Sequence, residues 1–302
     1  MKYFIVWSLV VTALHMSVCG KNDVALIVFS KNRPLQLYAL LESIHDHVRG
    51  LARIIVLYHV ENNAYEAGYR VVKKEYPCVT FIAQSRTNPR GDFYRLLLDS
   101  IKSAQASYIM FAVDDMVIIR PVDLNVCIRA LQRVPHAYGF YLWIGRDITT
   151  CYMGYDMIIS PPLLQEEGEG VYSWRIDSNR GEWSWYNCTD MALYPKSQLL
   201  AQVQAIANKD VCSPNGFEKA WNKIILPQGA RGLCFNYSRT INIPLNLVQK
   251  DAPRNRCWHH QSAEKLLKLF NKGYRISVDE LYDLPHTSAH IEIELPLEKR
   301  RS

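Results

Sequence analysis

Short apolar runs and amphipathic segments alternate through the first third of the chain. Residues 24–30 (VALIVFS) read as a strand buried on both faces, since an unbroken β-branched and aliphatic run suits the middle of a parallel sheet. Pro34 then opens a helix on which Leu37, Leu40, Leu41, Ile44 and Val48 recur at helical spacing. Residues 53–60 (RIIVLYHV) give a second strand, 65–75 a second helix stopped by Pro77, and 79–83 a third strand. Asp92 is placed to cap a third helix with Phe93, Leu96, Leu97, Ile101 and Ala104 on one face. That helix leads into residues 108–121 (YIMFAVDDMVIIRP), whose apolar half is a fourth buried strand. Asp114 and Asp115 cannot lie inside that strand without a large desolvation cost, so they belong at its carboxyl end.

Four strands separated by three helices predict an α/β fold with a doubly wound, mainly parallel sheet. Polar clusters follow each strand, at residues 31–33, 61–63, 85–90 and 114–115, and the topology gathers them at one rim. Two adjacent carboxylates there offer hard oxygen ligands to Mn2+ or Mg2+. No GxGxxG follows the first strand and no Walker A pattern occurs, so phosphate charge would be met by such an ion and by Arg33, Arg86 and Arg90.

The second half is less regular. Tyr172, Trp174, Trp183, Trp185 and Tyr186 crowd one segment beside Arg175, Asp177 and Glu182, a mixture of flat rings and polar groups that suits sugar stacking. Residues 165–170 (QEEGEG) read as a mobile loop, and Ser262 through Gly273 as an amphipathic helix; Ser277 and Glu280 form a capping-box pattern. With 302 residues, 49% hydrophobic and 21% charged, the chain can bury a full core. Its net charge of +6 fits an anionic small ligand or a membrane surface, and no interleaved basic and aromatic motif points to nucleic acid.

Residues 3–19 form an apolar run behind Lys2; a cleavable signal peptide and an uncleaved anchor both fit residues 1–20, and either implies export or membrane association. Eight cysteines show no metal-ligand spacing; one or two disulfides would be compatible with export. Asn187-Cys-Thr and Asn236-Tyr-Ser match glycosylation acceptors.

The segments IVFSKNRP, NPRGDFYRLLLDSI and FAVDDMVIIRP together resemble the GT-A glycosyltransferases, especially their family-2-like group; GFYLWIGRDITTCY, SPNGFEKAWN, INIPLNLVQ and HTSAHIEIEL are similar to later segments of such enzymes. The resemblance implies a GT-A-like sheet with a C-terminal acceptor-side extension: a nucleotide-sugar-binding half over residues 21–125 and an acceptor-side half over 126–302. It also implies a metal-dependent, inverting transfer from a nucleoside-diphosphate sugar to a hydroxyl of a glycan, lipid or protein. Val113 stands at the first acidic position of the family's DxD motif, which leaves Asp115 for the metal and Asp114 for a ribose or sugar hydroxyl. His290 matches a histidine that completes the metal shell, and Glu218 is the expected base, with Asp190 as its alternative or as an acceptor ligand. Arg33, Glu61, Arg90 and Asp92 join Asp114 as expected donor contacts. Two other functions share these features: an exported binding protein without catalysis and a nucleotidyltransferase.

Overall fold

The run at 24–30 and its helix begin an alternation that holds through residue 113: β1 (Val24–Lys31), α1 (Pro34–His47), β2 (Leu51–His59), α2 (Asn63–Glu75), β3 (Thr80–Ala83), α3 (Pro89–Ser103) and β4 (Tyr108–Val113). The computed structural model describes residues 23–178, 181–207, 211–249, 256–257 and 261–300. The apolar run at 3–19 lies outside them, and no helix of the described residues is long and apolar enough to cross a membrane.

β1 is buried from Val24 through Phe29 because it has a parallel neighbour on each edge, β2 and β4; β3 extends the sheet in parallel beyond β2. The carboxyl ends of all four strands therefore share one rim. α1 packs against α2, and α3 lies against β2. Pro89 at the first helical position of α3 moves its start upstream of the expected cap: Asn88 caps it by accepting from the Gly91 N–H. Asp92 lies one turn in and accepts from the Ser85 N–H at 2.7 Å.

The chain continues through β5 (Met116–Ile118), α4 (Leu124–Arg133), β6 (Ala137–Tyr141), β7 (Gln165–Gly168), β8 (Val171–Arg175), β9 (Ala192–Pro195), α5 (Lys196–Ala205), α6 (Pro214–Trp221), β10 (Arg231–Phe235), β11 (Thr240–Asn242) and α7 (Ala263–Asn271). One nine-stranded sheet runs β7-β8-β10-β6-β9-β4-β1-β2-β3. β9 is antiparallel to both β4 and β6, so β6 again points its carboxyl end to the rim where β1 and β4 end. α7 packs on α1 and α2, while α5 joins α3, which covers the sheet with helices.

Residues 165–170, expected as a mobile loop, instead form the edge hairpin β7–β8. Gly168, Glu169 and Gly170 all take positive φ in its turn, a geometry that two glycines make accessible. The expected capping box at Ser277 and Glu280 yields only a 3-10 turn, Asp279–Leu281, with no side-chain cap. Ser262 does cap α7, donating order to its first turn by accepting from the Lys265 N–H.

All seven cysteines among the described residues are free thiols. Asn187 is fully buried, its amide donating to the Trp221 carbonyl, so its sequon is out of reach in the folded chain.

The core around β8 and β10 is tightly filled. A Cβ added at Gly232 on β10 would lie 2.3 Å from Trp174 Cζ2, and Trp174 is itself clamped by its indole bond to the Trp183 carbonyl. Gly232→Ala is expected to destabilise the fold by about 1–3 kcal/mol in urea unfolding, the usual range for overpacking a core.

Candidate active site

The site begins where β1 and β4 end side by side, with the Asp114 N–H donating to the Phe29 carbonyl. That register leaves the two aspartates in the turn between β4 and β5, at the rim. Asp114 is 2% exposed and fully engaged: Oδ2 accepts from Ser30 Oγ at 2.8 Å and the Lys31 N–H at 3.0 Å, and Oδ1 accepts from Arg33 Nη1 at 2.9 Å. The same Arg33 Nη1 lies 2.9 Å from Asp115 Oδ2, while Asn242 Nδ2 donates to Asp115 Oδ1 at 3.1 Å. Arg33 Nε donates to Asn246 Oδ1 at 2.9 Å, and its Nη2 donates to the Asn246 carbonyl.

A single guanidinium thus ties two carboxylates to the 243–249 segment. Burial pushes the Asp114 carboxyl up to about 6, against the pull of Arg33. For Arg33 burial acts the other way, but the two aspartates outweigh it and hold the guanidinium charged. Tyr69, fully buried, bonds Ser30 Oγ and accepts from the Arg33 N–H, closing the turn from beneath.

β11 pairs with β5 and carries Asn242 to Asp115; the Ile243 N–H also donates to the Asp115 carbonyl at 2.8 Å. Asn242 in turn bridges to His290 through the backbone. His290 Nε2 sits 3.9 Å from Asp190 Oδ2, and its buried Nδ1 has no hydrogen-bond partner. Glu218 on α6 accepts with Oε1 from Trp185 Nε1 at 3.1 Å and from the Thr189 N–H at 3.0 Å. Asp190 is held well above the usual carboxylate range by burial, then by the charges of Glu218, Asp115 and Glu182. Burial raises Glu218 too, opposed by its bonds from Trp185 and Thr189.

Asp114, Asp115, Arg33, Asp190, Glu218 and His290 therefore converge from positions up to 257 residues apart. The other expected contacts form a neighbouring group. Lys31 Nζ pairs with Glu61 at 3.0 Å, and the Glu61 N–H donates to Asn32 Oδ1. His59 is 7% exposed, held below its usual range first by burial and then by Lys31, and its Nδ1 has no partner. Asp92 also keeps one buried oxygen without a partner. Arg90 is directed elsewhere, donating from Nη2 to Cys212 Sγ at 2.9 Å, and Arg86 pairs with Asn63 and Glu66.

The donor set fits a divalent cation that shares its shell with a diphosphate better than one caged by protein alone. Among the described residues no three His, Cys, Asp or Glu side chains form a ready cluster. Each Asp115 oxygen accepts one bond and has capacity for another, and His290, bridged through the backbone to Asp115's partner Asn242, holds an orphaned ring nitrogen. Mg2+ and Mn2+ are commonly held by one or two protein ligands with substrate phosphates completing the shell.

Ser30, His59, Tyr69, Asn242 and Asn246 contribute to these groups without having been singled out from the sequence. Asn246 lies in the INIPLNLVQ segment, but its role could not be read there, since it depends on a loop folding back over Arg33.

Comparison with known proteins gives one curated relative, a bifunctional glycosyltransferase, pgtA, of Dictyostelium discoideum, 24% identical over 230 residues. The match covers 68% of this chain and 29% of that protein, so the chain spans less than a third of its length. No family model matches. Solved structures with a similar course include residues 1–349 of TarS from S. aureus, at TM-score 0.44 and 12% identity, covering 71% of this chain and 58% of that one. A Pyrobaculum calidifontis mannosyltransferase, PcManGT, in complex with GDP-Man and Mn2+, aligns at TM-score 0.42 and 13% identity, covering 70% and 53%. The glycosyltransferase resemblance read from the sequence segments thus recurs in a curated protein bearing that name, and the α/β sheet is of the expected class.

Proposed function

We propose that this chain is a glycosyltransferase that moves a sugar from a nucleoside-diphosphate donor to an acceptor hydroxyl, with inversion at the anomeric carbon. The observation that supports it most is the meeting of Asp115 and Asp190 at one rim, one carboxylate held by Arg33 and Asn242 and the other kept basic by burial. In this reading the nucleoside lies toward Lys31, His59, Glu61 and Asp92, with its diphosphate near Asp115; Arg33 and Asp114, expected as direct donor contacts, are buried and engaged with each other, and so position Asp115 instead. Asp115 and His290 would hold a Mn2+ or Mg2+ ion, which when bound supplies neutralisation of the departing diphosphate.

Asp190 is the better base. Glu218 has one oxygen occupied by two donors, which favours its ionised form and blunts its basicity. Asp190 takes the acceptor hydroxyl's proton as that oxygen bonds the anomeric carbon; the bond from that carbon to the diphosphate oxygen breaks, and its electron pair leaves with the diphosphate. Glu218 orients the loop carrying Thr189 and Asp190 through the Thr189 N–H. The apolar run at residues 3–19 supports export or membrane attachment, and a transferase using activated sugars would then face the cytosol or an endomembrane lumen.

Purified protein with Mn2+ and UDP- or GDP-sugars is expected to release a nucleoside diphosphate, and Asp115→Asn is expected to lower that release by about 10²- to 10³-fold with the fold retained. Release of pyrophosphate from a nucleoside triphosphate would instead identify a nucleotidyltransferase. No turnover and no thermal shift with any nucleotide or cation would leave the exported binding protein.

A further inference from the structure

We propose that the acceptor is a saccharide, one ring face of which stacks on the Trp185 indole while its hydroxyls reach Glu182 and Asp190. The proposal rests on the transferase reading and names the acceptor class for that same site.

Of the aromatic residues crowded between positions 172 and 186, most serve the core. Trp174 and Trp183 are 2% and 1% exposed and pack edge to face with ring centres 5.1 Å apart. Tyr186 is committed through its hydroxyl to the carbonyls of Asn222 and Ile224. Trp185 alone in this group is an exposed large hydrophobic side chain, at 46%. A tryptophan at such exposure normally forfeits the benefit of burying a large apolar ring. Here the ring is fixed rather than loose, because its Nε1 donates to Glu218 Oε1, and that same oxygen accepts from the N–H next to Asp190. The indole is therefore held at a set distance from the proposed base.

What surrounds the indole selects the occupant. Glu182, Asp190 and Glu218 form a carboxylate group; the Cys151 thiol lies against the Glu182 carboxylate, whose Oε1 is buried with no hydrogen-bond partner. A lipid chain laid on Trp185 would strip water from these acids and return no hydrogen bonds. A sugar presents an apolar C–H face and a ring of hydroxyl donors in one rigid body, which satisfies the indole and the carboxylates together. A peptide serine or threonine could reach the base but would leave the indole uncovered.

The test uses saturation-transfer NMR and titration with methyl glycosides of glucose, galactose, mannose and N-acetylglucosamine, against a serine/threonine peptide and octanol. Trp185→Phe keeps a flat ring and loses the N–H; Trp185→Ala loses both. The native chain and Trp185→Phe are expected to bind at least one glycoside, and Trp185→Ala to bind it roughly five- to tenfold more weakly, as loss of one aromatic contact implies. UDP or GDP thermal shifts should be equal in all three, which separates the acceptor subsite from the donor reading. Glycoside binding without turnover of any nucleotide sugar would keep a saccharide subsite at Trp185 but overturn its role as an acceptor site together with the transferase reading. Native protein that binds only the peptide or octanol, or glycoside binding unaffected by Trp185→Ala, overturns the inference.

Discussion

An Asp190→Asn protein is expected to bind the donor as the native chain does and to transfer sugar about 10²- to 10⁴-fold more slowly, the usual contribution of a positioned base. Amide for carboxylate preserves shape and removes the proton acceptor, so kcat falls while nucleotide affinity holds. The native pH profile carries the same signature. A carboxylate raised by burial and by the charges of Glu218, Asp115 and Glu182 stays protonated, and inactive as a base, at pH values where an ordinary carboxylate is already ionised. The acidic limb of kcat/KM should consequently lie above the ordinary carboxylate range and rise with pH. Glu182→Gln removes one of the negative neighbours, so it should move that limb to lower pH. If Asp190→Asn transfers nearly normally while Glu218→Gln does not, the base is Glu218 instead.

The first half of the fold was legible because its signals are local. An unbroken apolar strand, a proline-opened helix and an acid pair closing a buried run each follow from a few adjacent residues. Small errors arose where two local signals competed: Asn88-Pro89 won over Asp92 for the start of α3 because the proline fixes its own φ at the first turn. The QEEGEG hairpin was missed since its charged strand sits at the sheet edge, where alternation of apolar residues is not required. The site itself was half legible. Asp115, Glu218 and His290 could be named from segments resembling known enzymes, and Asp190 as the alternative to Glu218, but the sequence did not reveal that His290 sits beside Asp190 as well as near Asp115's partner Asn242. Likewise, Arg33 was expected as a free cation for phosphate. Its double use by Asp114 and Asp115, and its hold on Asn246 213 residues away, are consequences of tertiary closure that no spacing encodes.

That shared guanidinium gives the largest stability effect expected in the molecule. Arg33 is 5% exposed, and its removal leaves Asp114, 2% exposed, beside Asp115 with no cation between them. Arg33→Ala is expected to destabilise the fold by about 3–5 kcal/mol, the range for stripping one partner from a buried ion pair, and so to lower Tm by roughly 10 °C for a chain of this size. Arg33→Lys should fall between, because a single ammonium keeps the charge but cannot span two carboxylates and Asn246 as a planar fork does. If the loss reflects uncompensated charge, Asp114→Asn should cost less in the Arg33→Ala background than in the native one, a coupling that calorimetry on the four proteins of the cycle can measure. Additive losses would mean that Arg33 acts by packing alone. Saturating Mn2+ supplies a second check: with the guanidinium gone, a divalent ion can take its place between the carboxylates, so the cation should raise the Tm of Arg33→Ala more than that of the native protein.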